Sequence, residues 1–333
     1  MGVEHQAWKT PADERIIAYL DQSVRRGRVA HSYLIGGPPG VGVQALAEEL
    51  AQAVLCEFRE RPCGRCRHCT RIAAGTHADY SVLVPVGQSM TIGIDEIREL
   101  KTASSLEPYE GRARVAVIDG AETMTPDAHN ALLKLLEEPP DKVVIVMTTE
   151  DEGRIPETIR SRCQILRLRP LAFDRVEAAL VAEGVDRSAA GKIAHMSAGR
   201  IGLARVMVDD NSLVEDRAEA LENLVELVGM ETDERLRLAG RMAEGFHRDR
   251  ETLLKRLGLW EALWRDILLR ESGVASANLD TGHEAPNLVS VGVARARQGV
   301  DSIQSAIHAL QRNGNPRLVM ESLVLTAPSL PRR

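Results

Sequence analysis

Apolar residues recur along this chain in two rhythms. Through the first 170 positions, short aliphatic runs alternate with stretches whose apolar residues return every three or four places. Bounded aliphatic runs predict buried strands, and the 3.6-residue rhythm predicts amphipathic helices. The pattern predicts a helix over 11–28, with Ile16, Ile17, Leu20 and Val24 on one face, a strand over 31–35 and a helix over 45–55. It continues with a strand over 80–84, a helix over 94–104 and a strand over 114–119. Thr125 predicts an N-cap, with Pro126 at the first helical position and Asp127 in the first turn, where unpaired amides favour all three. Pro139 ends that helix, 143–147 is a strand, and 156–163 is a short helix entering a strand over 164–168. Strands alternating with helices predict an α/β domain with a parallel sheet for residues 1–170. Residues 171–209 then read as a small bundle of three helices, and 210–333 as an all-α domain whose clearest stripe is Leu253, Leu254, Leu257, Trp260, Leu263, Trp264, Ile267 and Leu268. Between its helices, 273–290 breaks the rhythm and is expected to be a loop.

Length agrees with that division: 333 residues suffice for two or three domains, each with its own core. Aromatic residues are only 3% of the chain, so Leu, Ile, Val and Ala must build those cores. A net charge of −6 argues against a chain that coats nucleic acid unaided, because that affinity comes from cations neutralising phosphates. The longest aliphatic run, 143–147, falls far short of the roughly 20 residues that span a bilayer. With no apolar N-terminal segment either, a cytoplasmic protein without membrane contact is expected.

Candidate chemistry begins between the first strand and the helix after it, where Gly36-Gly37-Pro38-Pro39-Gly40-Val41-Gly42-Val43-Gln44 has the frame of a phosphate-binding loop. In such a loop the glycines let backbone N–H groups converge on phosphate, a Lys reaches the β/γ-phosphates, and a hydroxyl ligates Mg²⁺. Gly37, Gly40 and Gly42 keep the frame, but Val43 stands at the Lys position and Gln44 at the hydroxyl position. Asp119, at the tip of an apolar strand, either holds Mg²⁺ through water or serves as a strand-end turn residue, and Gly120 follows where hydrolytic relatives carry a water-orienting Glu. Thr148 and Thr149, ending the next strand, either sense a γ-phosphate or finish a turn. The expected consequence is a nucleotide site that binds ATP weakly or not at all, in a chain without its own ATPase activity.

Cys56, Cys63, Cys66 and Cys69 are spaced C-x6-C-x2-C-x2-C, and overlapping C-x2-C units of soft thiolates suit one tetrahedral Zn²⁺. Four cysteines saturate a structural site, with His68 and His77 as spare ligands. Arg59, Arg61, Arg65, Arg67 and Arg71 surround the cluster and either offset its negative charge or touch nucleic acid. Farther on, Arg160 and Arg162 fall on opposite sides of a short helix, one to pair internally and the other to face outward.

The order of HSYLIGGPPGVG, the four cysteines, VAVIDGAE, NALLKLLEEPP, VVIVMTTE and TIRSRCQIL resembles the delta-prime subunits of the bacterial DNA polymerase III clamp loader, relatives of AAA+ ATPases, over about residues 1–205. The resemblance implies an AAA+-like domain over 1–170 with an inserted zinc module at 56–69, a helical lid over 171–209, and a collar over 210–333 that holds an oligomer together. It implies a rigid stator that works with gamma/tau-type ATPase subunits and a delta subunit to place the sliding clamp on primed DNA. It also implies that Arg162 is an arginine finger acting in trans on a neighbour's ATP, with Cys163 beside it left for packing. Relatives that bind ATP carry a sensor arginine at the start of the last lid helix, and Arg200 stands close by in a register the sequence does not fix. Two other functions fit parts of the sequence: an autonomous ATPase whose loop tolerates Val43, and a zinc-dependent DNA-binding protein using the arginines around the cysteines.

Overall fold

The computed structural model describes residues 8–87, 90–210, 212–274 and 291–328, with the His247 side chain left aside. Most of the loop expected over 273–290 lies outside these residues. The chain divides into two compact units. The first holds residues 1–185 and 199–205, and the second holds 186–198 and 206–333.

The first unit is built on five strands, β1 (Ser32–Gly36), β2 (Tyr80–Leu83), β3 (Arg114–Ile118), β4 (Val143–Thr149) and β5 (Gln164–Arg167), in the order β2-β3-β4-β1-β5. Every neighbouring pair is parallel. All seven residues of β4 are buried, as its aliphatic run requires of a central strand with both faces covered. The two-residue period of a strand divides the core. Tyr33, Ile35, Val115, Val117, Val144 and Val146 face the side packed by α1 (Glu14–Arg25) and α2 (Val43–Leu55). Leu34, Ala116, Ile118, Ile145 and Met147 face the side packed by α4 (Ile94–Ser104) and α5 (Pro126–Glu137), α3 being the short helix Arg67–Ala73 among the cysteines. This is the expected α/β arrangement, with helices on both faces of a parallel sheet.

Local signals set the helix ends. The Thr125 hydroxyl accepts the Ala128 amide at 3.2 Å, the predicted cap of α5. α2 begins at Val43, two residues before its predicted start, because Gly42 adopts φ +99° and turns the chain directly into the helix. The remaining helices are α6 (Glu157–Arg160), α7 (Phe173–Ala182), α8 (Arg187–Met196), α9 (Ile201–Asp209), α10 (Ser212–Gly229), α11 (Thr232–Arg248), α12 (Arg250–Glu271), α13 (Val293–Gln311) and α14 (Pro316–Thr326).

In the second unit, α10 to α14 enclose one core that includes Leu224, Leu257, Trp260, Leu263, Trp264, Leu310 and Leu323. The Trp260 indole N–H donates to the Ala220 carbonyl at 2.9 Å, which satisfies its one polar atom. Gly299 lets α13 approach Trp264 so closely that a Cβ there would lie 2.4 Å from the ring. Arg235 is buried and donates to the carbonyls of Val228, Met230, Val324, Ala327 and Pro328, closing the ends of α10 and α14 from inside. Among the described residues no helix is long and apolar enough to cross a membrane.

Candidate functional site: glycine loop, cysteine cluster and a remote arginine

The glycine loop leaves the C-terminal end of β1 and is held on both flanks. The Gly37 amide donates to the Thr149 carbonyl at 3.1 Å, and the Leu203 amide donates to the Gly40 carbonyl at 3.1 Å. A Cβ at Gly37 would stand 2.9 Å from the Leu168 carbonyl, and one at Gly202 would stand 2.9 Å from the Gly40 carbonyl, so both approaches depend on glycine. Val43, at the Lys position, is 2% exposed and packs in the α1/α2-side core, while Gln44 is exposed. The loop therefore keeps its turn, and the side chain that would reach phosphate is a packing group. Lys9 and Thr10 donate their amides to the buried Glu49 carboxylate of α2 at 2.8 and 3.0 Å, which fixes the segment before α1 against the helix. Burial raises the Glu49 pKa, and those amides oppose it.

Asp119 follows β3 at the same edge of the sheet. The Thr148 hydroxyl donates to Asp119 Oδ1 at 2.5 Å and accepts the Gly120 amide at 3.1 Å. Gly120 stands at φ +74°, a conformation that a Glu there would adopt only with strain. Thr149 accepts the Asp151 amide through its hydroxyl, so both threonines are taken up locally. Glu150 lies close by, its pKa raised by burial and then by Glu122 and Asp119.

The four cysteine sulfurs lie within 4.8 Å of one another, with Cys63 to Cys69 and Cys56 to Cys66 each 3.9 Å apart. Four thiolates on a tetrahedral Zn²⁺ at 2.3 Å would stand about 3.8 Å apart, so this donor set fits such an ion. None of the five cysteines is in a disulfide. Burial pushes the Cys66 thiol up, but the Cys69 and Glu57 amides and the neighbouring thiols outweigh it and bring it down to about 7. Burial raises the thiols of Cys56 and Cys69 instead, so the fit to a metal rests on the geometry of the four sulfurs.

His68 and His77 do not join the sulfur cluster. Both are buried, and His68 Nδ1 lies 2.7 Å from His77 Nε2. Since the Asp79 amide donates to His77 Nδ1 at 3.0 Å, the proton of His77 sits on Nε2 and is donated to His68, whose Nε2–H then faces Glu57 at 2.9 Å. Burial lowers the His77 pKa, in keeping with this neutral relay. The relay ends on Asp79, whose carboxylate accepts the amides of Tyr109, Glu110 and Gly111 at 2.7, 2.8 and 2.7 Å. His-x8-His beside the cysteines was the only sequence signal for it, and Asp79 and Glu57 carried none. Three of the surrounding arginines are occupied locally: Arg67 by Glu57, Arg71 by Glu110, and Arg65 over the Phe58 ring.

Arg162 stands at the other edge of the sheet. Its carbonyl accepts the Ser32 hydroxyl at 2.7 Å, at the start of β1, whereas the glycine loop leaves the end of that strand. Five residues at about 3.3 Å each separate them by roughly 16 Å, so the sheet does not bring Arg162 to its own chain's loop. The guanidinium donates to Glu137 at 2.8 Å and to the Thr158 carbonyl at 2.8 Å. Arg160 pairs with Glu152 at 3.6 Å. As expected, Arg160 pairs while Arg162 stays exposed at the surface; Arg162 is paired as well, because α5 presents Glu137 to it. Cys163 is half-buried against the α4/α5-side core, and burial pushes its thiol up to about 11. Arg200 immediately precedes α9.

With this geometry in hand, comparison shows that residues 12–172 match the family described as DNA polymerase III, delta subunit. The chain is 32% identical over 219 residues to DNA polymerase III subunit delta′ of Bacillus subtilis, covering 65% of this chain and 66% of that protein. It is 37% identical over 165 residues to subunit delta′ of Escherichia coli, covering 49% and 48%. It is also 33% identical over 165 residues to subunit tau of Escherichia coli, covering 49% of this chain and 25% of the relative. The alignments thus span from a quarter to just under two thirds of these relatives' own lengths.

Asp79 gives the site a measurable pH signature. Burial alone would raise its carboxyl pKa, but the three amides and Arg114 at 3.7 Å hold it below the usual value. A depressed pKa contributes stability that is present above the unfolded value, about 3.9, and is lost as pH falls through the folded one. Asp79→Asn should cost about 1.5–3 kcal/mol at pH 7 and should flatten the acid limb of unfolding free energy against pH below about 4. An acid limb as steep as the wild type's would contradict the role assigned to this carboxylate.

Proposed function

We propose, from the match of residues 12–172 to the family described as DNA polymerase III, delta subunit and from the delta-prime subunits among its relatives, that the chain is a stator of the clamp loader. In this reading it does not hydrolyse ATP and donates Arg162 in trans to a neighbouring gamma/tau-type ATPase subunit. The observation that carries the reading is the position of Arg162, one strand length from its own loop and at an edge where a second subunit can meet it. Its ion pair with Glu137 joins groups 37% and 50% exposed, and surface pairs of that kind are worth under about 1 kcal/mol. A phosphate charge from a neighbour can therefore displace Glu137 at little cost. Similarity to tau as well as to delta-prime supports partners of the gamma/tau type, with a delta subunit, the sliding clamp and primed DNA as the remaining members.

The glycine loop and Asp119 serve in this proposal as a retained scaffold with weak ATP binding or none. An autonomous ATPase would have to work with Val43 in the core and with neither the Mg²⁺ hydroxyl nor the water-orienting Glu. A zinc-dependent DNA-binding role would have to rest on Arg59 and Arg61, since Glu57, Glu110 and Phe58 already engage Arg67, Arg71 and Arg65. We assign residues 1–170 as the AAA+-like domain, 171–209 as its lid and 210–333 as the collar that binds neighbouring subunits.

Replacing Arg162 by Ala in a complex reconstituted with a gamma/tau-type ATPase should leave assembly intact and remove turnover at the shared interface, where a finger is worth about 10³–10⁵ in rate. Arg162→Lys should recover little, because one ammonium cannot reproduce the planar fork. Intact assembly with undiminished turnover would sink the assignment.

Zn²⁺ held by Cys56, Cys63, Cys66 and Cys69 is proposed as structural, with all four positions taken by sulfur. The purified chain should hold one zinc ion by atomic absorption. Its removal by a chelator should loosen the segment from Cys56 to Asp79 in hydrogen exchange while the β1–β4 ladder stays protected. Equal protection of that segment with and without metal would show that the ion is not structural.

A further inference from the structure

The edge of the sheet that carries Arg162 also borders an open cavity of 690 Å³. It lies between the end of α1 and the residues leading into β1, β3 and β4. Its lining is basic: Arg25, Arg26, Arg61, Arg112 and Lys142, with His31, against the single carboxylate of Asp141. Two of these cations are already spoken for, Arg25 by Asp21 at 2.7 Å and Lys142 by Glu107 at 2.9 Å. Arg26, Arg61 and Arg112 form no ion pair among the described residues, although like charges on one wall repel each other. Arg61 Nε and His31 Nε2 are enclosed and have no hydrogen-bond partner.

Basic groups near helix C-termini offset the helix dipole, and α1 and α5 both end here. That accounts for Arg25 and Arg26, which belong to the end of α1. It does not account for Arg61 and Arg112, which arrive from two loops far apart in sequence and converge on the same space. Proteins seldom gather unpaired guanidinium groups around a cavity without an anion to share them, because each would be better solvated apart.

We propose that this cavity binds a small polyphosphate, of the pyrophosphate or nucleoside-diphosphate class, through Arg26, Arg61 and Arg112. The guanidinium fork matches phosphate oxygens in pairs, which a diphosphate offers several times over. The volume lies within the range of roughly 300–1,000 Å³ common to small-ligand sites. A nucleic-acid backbone presents the same phosphate chemistry, but Arg26, Arg61 and Arg112 gather at one cavity, and the net charge of −6 opposes a long polyanion elsewhere on the surface.

Calorimetric titration of the full chain with pyrophosphate at low salt tests this site. One-to-one binding is expected, weakened about tenfold by Arg112→Ala and by Arg26→Ala, since each removes a charge-assisted bond. Both side chains are exposed and apart from the cysteine cluster, and an unchanged unfolding midpoint verifies that each variant folds. No binding, or equal affinity in wild type and both variants, overturns the proposal; the second result would place the anion elsewhere, the glycine loop included. A single-stranded oligonucleotide that binds more tightly than pyrophosphate and depends on the same arginines overturns the small-ligand assignment in favour of a phosphodiester backbone.

Discussion

The ladder between β1 and β4, running in parallel register from Ser32 beside Ile145 to Gly36 beside Thr149, is the constraint on which the rest of the first unit depends. Parallel pairing puts every strand end on one edge and every strand start on the other. The glycine loop and Asp119 follow strand ends, so they share an edge. Arg162 precedes β5, and the cavity borders the starts of β1, β3 and β4, so these share the opposite edge. One sheet thus separates the glycine loop and Asp119 from Arg162 and the basic cavity.

At the strand ends, packing has taken over positions that chemistry would otherwise use. Val43 is buried in the core, the Leu203 amide occupies the Gly40 carbonyl, and Asp119 is engaged by Thr148. The turn survives because the junction between β1 and α2 needs it, whether or not a phosphate ever sits there. The cysteine module is tied down by similar means. Its His68–His77 relay runs from Glu57 to the Asp79 amide, and the Asp79 carboxylate gathers the turn before β3.

Much of this was legible in the sequence, and the reason is the range of the interactions concerned. Strand positions follow from aliphatic runs, the Thr125 cap from a bond three residues long, and the cysteine cluster from spacing within fourteen positions. The polar partners were illegible because they are distant in sequence: Glu49 takes amides about 40 residues away, Glu137 meets Arg162 across 25, and the basic cavity draws on residues from Val24 to Val144. No local pattern of charge marks such pairs. α3 was missed for a related reason: with seven residues among cysteines, it has too few apolar positions to show a period.

The division of labour between the two edges is tested most directly by ATP turnover of the purified chain alone, with Asp119→Ala as control. If the loop is scaffold, hydrolysis stays at background for wild type and variant alike. Sustained turnover by the wild type that Asp119→Ala abolishes would show that the chain runs its own nucleotide site, and the assignment of its chemistry to Arg162 would fall.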